Sequence, residues 1–161
     1  ISYDLNIEQA IDLLRAAPPS WFELTLHQHM PMFHMEHCVF AAFLSQGKSS
    51  LDCGRPCEKH EVKLRDRVGV EHPLKADVGC RNTLFNAVPQ TGAKFFGDLM
   101  LAGLRHYRLE LLGESREDAA RIIESYQAIL AGRRDGGNLW RELKAQSKLG
   151  VTSGTLRNAR D

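Results

Sequence analysis

Four cysteines, Cys38, Cys53, Cys57 and Cys80, are the only thiols in the chain, and they follow the pattern C-x14-C-x3-C-x22-C. Four thiolates satisfy a tetrahedral zinc ion or a cubane iron–sulfur cluster. A fold that uses them together has to fold back on itself several times between residues 38 and 80. Two disulfides would consume the same residues, and spacing alone does not decide the pairing. Free or separately buried thiols are a third reading. At 161 residues the chain can bury a core without covalent staples, so stability does not call for disulfides. A metal site is therefore the leading expectation. Structural zinc sites usually combine two short C-x2–4-C knuckles, whereas here only Cys53 and Cys57 are close. Clusters accept wider spacing, and the pattern leans toward one.

Charge is balanced, with 21 basic and 20 acidic residues and a net charge of +1. Such a balance neither requires nor excludes nucleic acid as a partner. No apolar run approaches the ~18 residues of a membrane span. The opening Ile1-Ser2-Tyr3-Asp4 lacks a charged start and an apolar segment, so nothing there reads as a secretory signal. The expectation is a soluble, cytoplasmic protein of one domain or part of one.

Residues Ile1 to Leu5 read as a short extended piece. Asn6 and Gln9 form a capping box for a helix with Ile7, Ala10, Ile11 and Leu14 on one face, ended by Pro18-Pro19. Phe22, Leu24 and Leu26 alternate with Glu23 and Thr25 in strand period. The cysteine region then breaks the rhythm. Met35 to Leu44 is expected as a short helix and Gln46 to Pro56 as a loop. Val62 to Arg65 and Val70 to Ala76 are expected as a hairpin around Asp66-Arg67-Val68-Gly69, weakened by Pro73. After Cys80, Gly92 to Leu104 reads as a helix and Tyr107 to Leu111 as a strand. Ser115-Arg116-Glu117-Asp118 caps a helix carrying Ile122, Ile123, Tyr126, Ile129 and Leu130. From Gly132 the chain turns polar, and 133–161 is expected as a poorly packed tail with one short helix over 139–148. Alternating strands and helices imply a parallel α/β arrangement. Three core strands cannot close a barrel, so the expectation is the back portion of a larger domain.

The segments Ser2-Tyr3-Asp4-Leu5-Asn6, Met30-Pro31-Met32, Glu36-His37-Cys38, Cys53-x3-Cys57, Leu64-Arg65-Asp66-Arg67, Cys80-Arg81-Asn82-Thr83-Leu84-Phe85-Asn86 and Tyr107-Arg108-Leu109-Glu110 give the chain a resemblance to the C-terminal part of the collagenase-like peptidase family U32. The likeness covers residues 1–131. It implies an α/β fold, the C-terminal part of a (β/α) barrel-like domain, with an inserted four-cysteine module over about 35–86 and a polar tail over 132–161. Some relatives are named as proteases. Others look like oxygen-independent hydroxylases of RNA bases or quinone precursors that carry a [4Fe–4S] cluster. The implied ligands are Cys38, Cys53, Cys57 and Cys80, with zinc as the alternative metal. Many hydroxylase relatives place two cysteines just after the strand. This chain has Met30-Pro31-Met32-Phe33-His34 there, as in the other subgroup, so its substrate stays open between RNA and a small aromatic compound. The implied partner is the N-terminal barrel portion of the same gene product.

His27 and His29 directly follow a strand and are the candidate catalytic residues, because barrel enzymes work at the carboxyl ends of their strands and histidine titrates near neutrality. His34 is weaker. His37, beside Cys38, and Arg81, beside Cys80, are candidate cofactor-side residues. Loop histidines and a surface arginine are the bland readings of the same residues. Asp66 and Arg67 form either a buried ion pair or a solvated turn, and Asn82 and Asn86 serve loop backbone. No G-x-S-x-G or H-E-x-x-H occurs, which ranks redox chemistry above a collagenase-like peptidase. A zinc-stabilised, non-enzymatic binding module is the remaining alternative.

Overall fold

The computed structural model describes residues 1–47, 49–146 and 152–157. They form two compact units, one built from 1–29 with 88–157 and the other from 30–87. The architecture is mixed α/β with two separate sheets.

In the first unit, α1 (Ile7–Ala16) starts at the expected capping box. Asn6 accepts from the Gln9 amide at 2.9 Å, and the Gln9 side chain accepts from the Asn6 amide at 3.0 Å. Its face of Ile7, Ala10 and Leu14 is buried. Strand β1 (Glu23–Gln28) buries Leu24 and Leu26. It is the middle strand of a three-stranded sheet, between β6 (Gln90–Thr91) and β7 (His106–Leu109). β6 pairs antiparallel to it and β7 parallel, with Leu24 opposite Tyr107. Helix α4 (Arg116–Leu130), capped by Ser115, adds Tyr126 and Ile129 to the core.

Three expectations change. Ile1 to Leu5 is a turn rather than a strand, and the Ile1 ammonium donates to the Glu23 carbonyl of β1 at 2.8 Å. The helix expected over 92–104 is shorter. It comprises a tight turn over Ala93–Phe95 and α3 (Phe96–Leu101), and it stops where Gly103 takes φ +96, a conformation that suits glycine and closes a helix. The polar stretch after Gly132 carries α5 (Gly136–Gln146), which buries Leu139 and Leu143 in the main core. Its packing relies on Gly136: a Cβ there would lie 2.0 Å from the Ala93 carbonyl oxygen. The last residues expected in that helix, Ser147 and Lys148, lie outside the described residues, as does Lys48 in the expected loop.

The second unit is a four-stranded antiparallel sheet in the order β2 (Pro31–Met35), β5 (Arg81–Phe85), β4 (Glu71–Asp77), β3 (Val62–Arg65). Phe40, Leu74 and Leu84 form its core. The stretch expected as one helix from Met35 divides. Its start ends β2, and Cys38 caps α2 (Val39–Leu44), its sulfur accepting from the Ala41 amide at 3.4 Å. The β3–β4 hairpin forms as the turn chemistry requires, with Asp66 accepting from the Val68 and Val70 amides at 2.9 Å each. Pro73 sits opposite Lys63 of β3, one residue before Leu74–Leu84, the first pair of the β4–β5 ladder.

Replacing Leu139 with Ala should cost roughly 2–5 kcal/mol, the usual range for a buried leucine. Urea unfolding followed by circular dichroism measures it, and a loss near zero would mean that α5 is not part of the core.

Candidate functional site

Strand polarity decides where the cysteines go. In the antiparallel order β2-β5-β4-β3, the carboxyl ends of β2 and β4 lie with the amino ends of β5 and β3. Cys38 follows β2 by three residues, Cys80 immediately precedes β5, and Cys53 and Cys57 lead into β3. All four therefore sit on segments at one end of the sheet. All four are free thiols. Cys38 and Cys57 are partly buried against the Phe40–Leu74–Leu84 core. Cys57 lies in a short turn of helix, Pro56–Glu58, entered through Gly54 and Arg55 in left-handed conformations.

Cys80 is exposed at the tip of the β4–β5 hairpin, with φ +61 after Gly79 at φ +78. A side-chain residue in this region costs about 1 kcal/mol. The Arg81 guanidinium braces the tip by donating from Nε to the Val78 carbonyl at 3.1 Å. Asn82, fully buried, accepts from the Val39 amide at 2.6 Å and reaches Cys38 Sγ at 4.0 Å, which ties β5 to the start of α2. His37 is exposed beside Cys38, and His34 meets Thr83 across the β2–β5 pair at 3.0 Å. Asp66 and Arg67 form a solvated turn rather than a buried pair. Amide donors, Val70 first, hold the Asp66 carboxyl below its usual range. Among the described residues, no three His, Cys, Asp or Glu side chains come together closely enough to hold a metal ion.

His27 and His29 belong to the other unit. His27 ends up deep in the core, 1% exposed, with Nδ1 3.3 Å from the Tyr126 hydroxyl and Nε2 without a hydrogen-bond partner among the described residues. Burial pushes its pKa down to about 4. The charge of Glu114 opposes that shift and His29 reinforces it. His29, just past β1, is 13% exposed and has Nε2 3.3 Å from a Glu114 oxygen. The other Glu114 oxygen accepts from the Leu112 and Gly113 amides at 2.7 and 3.0 Å. His29 above all, and then the amides, hold the Glu114 carboxyl down at about 2 against the opposing effect of burial.

Neither Glu114 nor Tyr126 is among the site residues that the sequence suggests. Glu114 looks like an ordinary turn residue before a capped helix, and Tyr126 like one more apolar position on α4. The available signal was topological: β1 and β7 are parallel, so residues just beyond each strand share one end of the sheet. Comparison with family models, with curated proteins and with solved structures finds no match.

Two acid-sensitive windows follow. His27 has its folded pKa below its ordinary 6.5, so its contribution to stability is complete above that pH and is lost as pH falls toward about 4. Glu114, depressed from 4.5, contributes fully above that value and loses its contribution as pH falls toward about 2. Unfolding free energy measured against pH should flatten in the upper window in His27→Gln and in the lower one in Glu114→Gln. In each window the slope should change by up to ~1.4 kcal/mol per pH unit.

Proposed function

We propose that the chain is part of an iron–sulfur enzyme of the U32 type, acting in the oxygen-independent hydroxylation of an RNA base or a small aromatic precursor. Cys38, Cys53, Cys57 and Cys80 would ligate a [4Fe–4S] cluster, which supplies one-electron redox chemistry when bound. The observation that carries this reading is the common end of the four-stranded sheet shared by all four thiols. Two of them already line an apolar core, the dry, shaped setting that tunes a cluster's potential. Among the described residues no three such side chains come together closely enough for a metal, so the reading requires the four thiols to approach one another.

The protein's own side chains have defined tasks in this reading. Asn82 fixes the backbone that carries Cys38 through its bond to the Val39 amide. Arg81 holds the hairpin tip that carries Cys80 through its bond to the Val78 carbonyl. His37 adjoins Cys38 and is available to donate toward thiolate or cluster sulfur. His27 and His29, at the carboxyl end of β1, are the substrate-side candidates. The parallel β1–β7 pair is compatible with two late strands of a barrel, the rest of which would come from the N-terminal portion of the gene product.

Anaerobic purification followed by absorption spectroscopy tests the reading. A brown protein with a broad band near ~400 nm, lost in each of Cys38→Ser, Cys53→Ser, Cys57→Ser and Cys80→Ser, is the expected result. A colourless protein with one equivalent of zinc would replace it with a structural zinc module.

A further inference from the structure

The buried polar cluster at the carboxyl end of β1 joins Thr91, Tyr126 and His27 through their side chains. Thr91 Oγ1 accepts from the Ala93 amide at 3.1 Å, which leaves the threonine hydrogen to be given elsewhere. The Tyr126 oxygen lies 2.5 Å away, a pair in which either hydroxyl can be the donor. Where Thr91 gives its hydrogen to Tyr126, the tyrosine donates onward. His27 Nδ1 at 3.3 Å is nearer than the Leu26 carbonyl at 3.5 Å. With Nδ1 accepting, the ring hydrogen of a neutral His27 sits on Nε2. That nitrogen is buried and has no partner among the described residues. A buried donor without an acceptor is costly, on the order of 1–3 kcal/mol, and such orphans in native folds ask for an explanation.

We propose that His27 Nε2–H is a docking point for the carbonyl oxygen of a neutral small ligand. The threonine–tyrosine relay keeps His27 in the donor tautomer, and burial keeps the ring neutral, so it offers a hydrogen bond without a competing charge. Glu114 is a positioning residue. It is anchored by the Leu112 and Gly113 amides and holds the His29 ring through Nε2. His29 lies two residues beyond His27, and its charge acts on the His27 ring. A neutral carbonyl group fits this chemistry better than a carboxylate, because the Glu114 carboxylate stands close enough to influence the charge on His27. The proposal rests on the preceding reading only in taking this end of β1 as the substrate side.

Long-range proton–nitrogen NMR of the histidine rings in uniformly labelled protein tests it, with benzamide as the carbonyl probe. His27 should show hydrogen on Nε2 and none on Nδ1, and should stay neutral down to about pH 5. Benzamide should shift the His27 Nε2 signal in a saturable way. Tyr126→Phe, or Thr91→Val where the first variant does not fold, should mix the tautomers and weaken benzamide binding about tenfold, the loss expected for one hydrogen bond. A His27 ring with hydrogen on Nδ1 overturns the proposal. So does a His27 signal that ignores millimolar benzamide, or benzamide binding that survives both variants unchanged. A colourless protein whose His27 still responds to benzamide would remove the cluster and leave this site standing. A brown protein whose His27 does not respond would do the reverse.

Discussion

The parallel pairing of β1 with β7, Leu24 opposite Tyr107, governs the chemistry of the first unit. Parallel strands finish at the same end of a sheet, and whatever follows them shares that end. His29 follows β1 at once, and Glu114 follows β7 after a short turn. Were the strands antiparallel, the carboxylate would emerge at the far end of the sheet and the pair would not form. The four-stranded sheet of the second unit applies the same constraint in its antiparallel form. Alternating polarity carries one segment out at the end of a strand and brings another in beside it, so cysteines separated by up to 22 intervening residues reach one end.

Around His27 the balance between burial and polarity is tight. A neutral imidazole in a core of Leu26, Tyr126 and their neighbours is tolerable only because its Nδ1 has a partner. Tyr126 meets His27 edge to ring with centroids 5.8 Å apart, so the same side chain supplies both apolar cover and the hydroxyl. Burial moves the tyrosine's own pKa upward, which keeps the hydroxyl protonated and able to donate. The cluster is rigid where it meets the core and changes character toward Glu114, where solvent begins to reach the side chains.

Local chemistry made parts of this fold readable in advance. The Asn6–Gln9 box, the Ser115 cap and the Asp66 turn all depend on residues within a few positions of each other, and each forms with the expected donors and acceptors. The alternation around Leu24 and Leu26 gave β1 for the same reason. What escaped was set by distant partners. β5 and β2 become strands through pairing with each other, Met35 opposite Asn82, although neither segment has a strong period of its own. The helix α5 looked like tail because its apolar residues are sparse, yet Leu139 and Leu143 suffice once the main core receives them. The candidate residues divide in the same way. The cysteines were visible by type and spacing, whereas Glu114 acquires its meaning only from strands that the sequence does not pair. His27 and His29 were singled out together, but one is sealed in the core and the other half open, a difference that adjacency in sequence conceals.

Thr152 gives the three-stranded sheet an asymmetry. It bridges to Gln90 on β6, and its backbone exchanges hydrogen bonds with Thr91 and Pro89 at 2.8 and 3.0 Å. Thr155 adds a bond from its amide to the Gln90 side chain. One margin of the sheet is thus stitched shut by the chain itself, while β7 forms the opposite margin. Among the described residues β7 pairs with β1 alone, so an added strand would find its template along His106–Leu109 rather than along β6. Any enlargement of this sheet has a single direction in which to proceed.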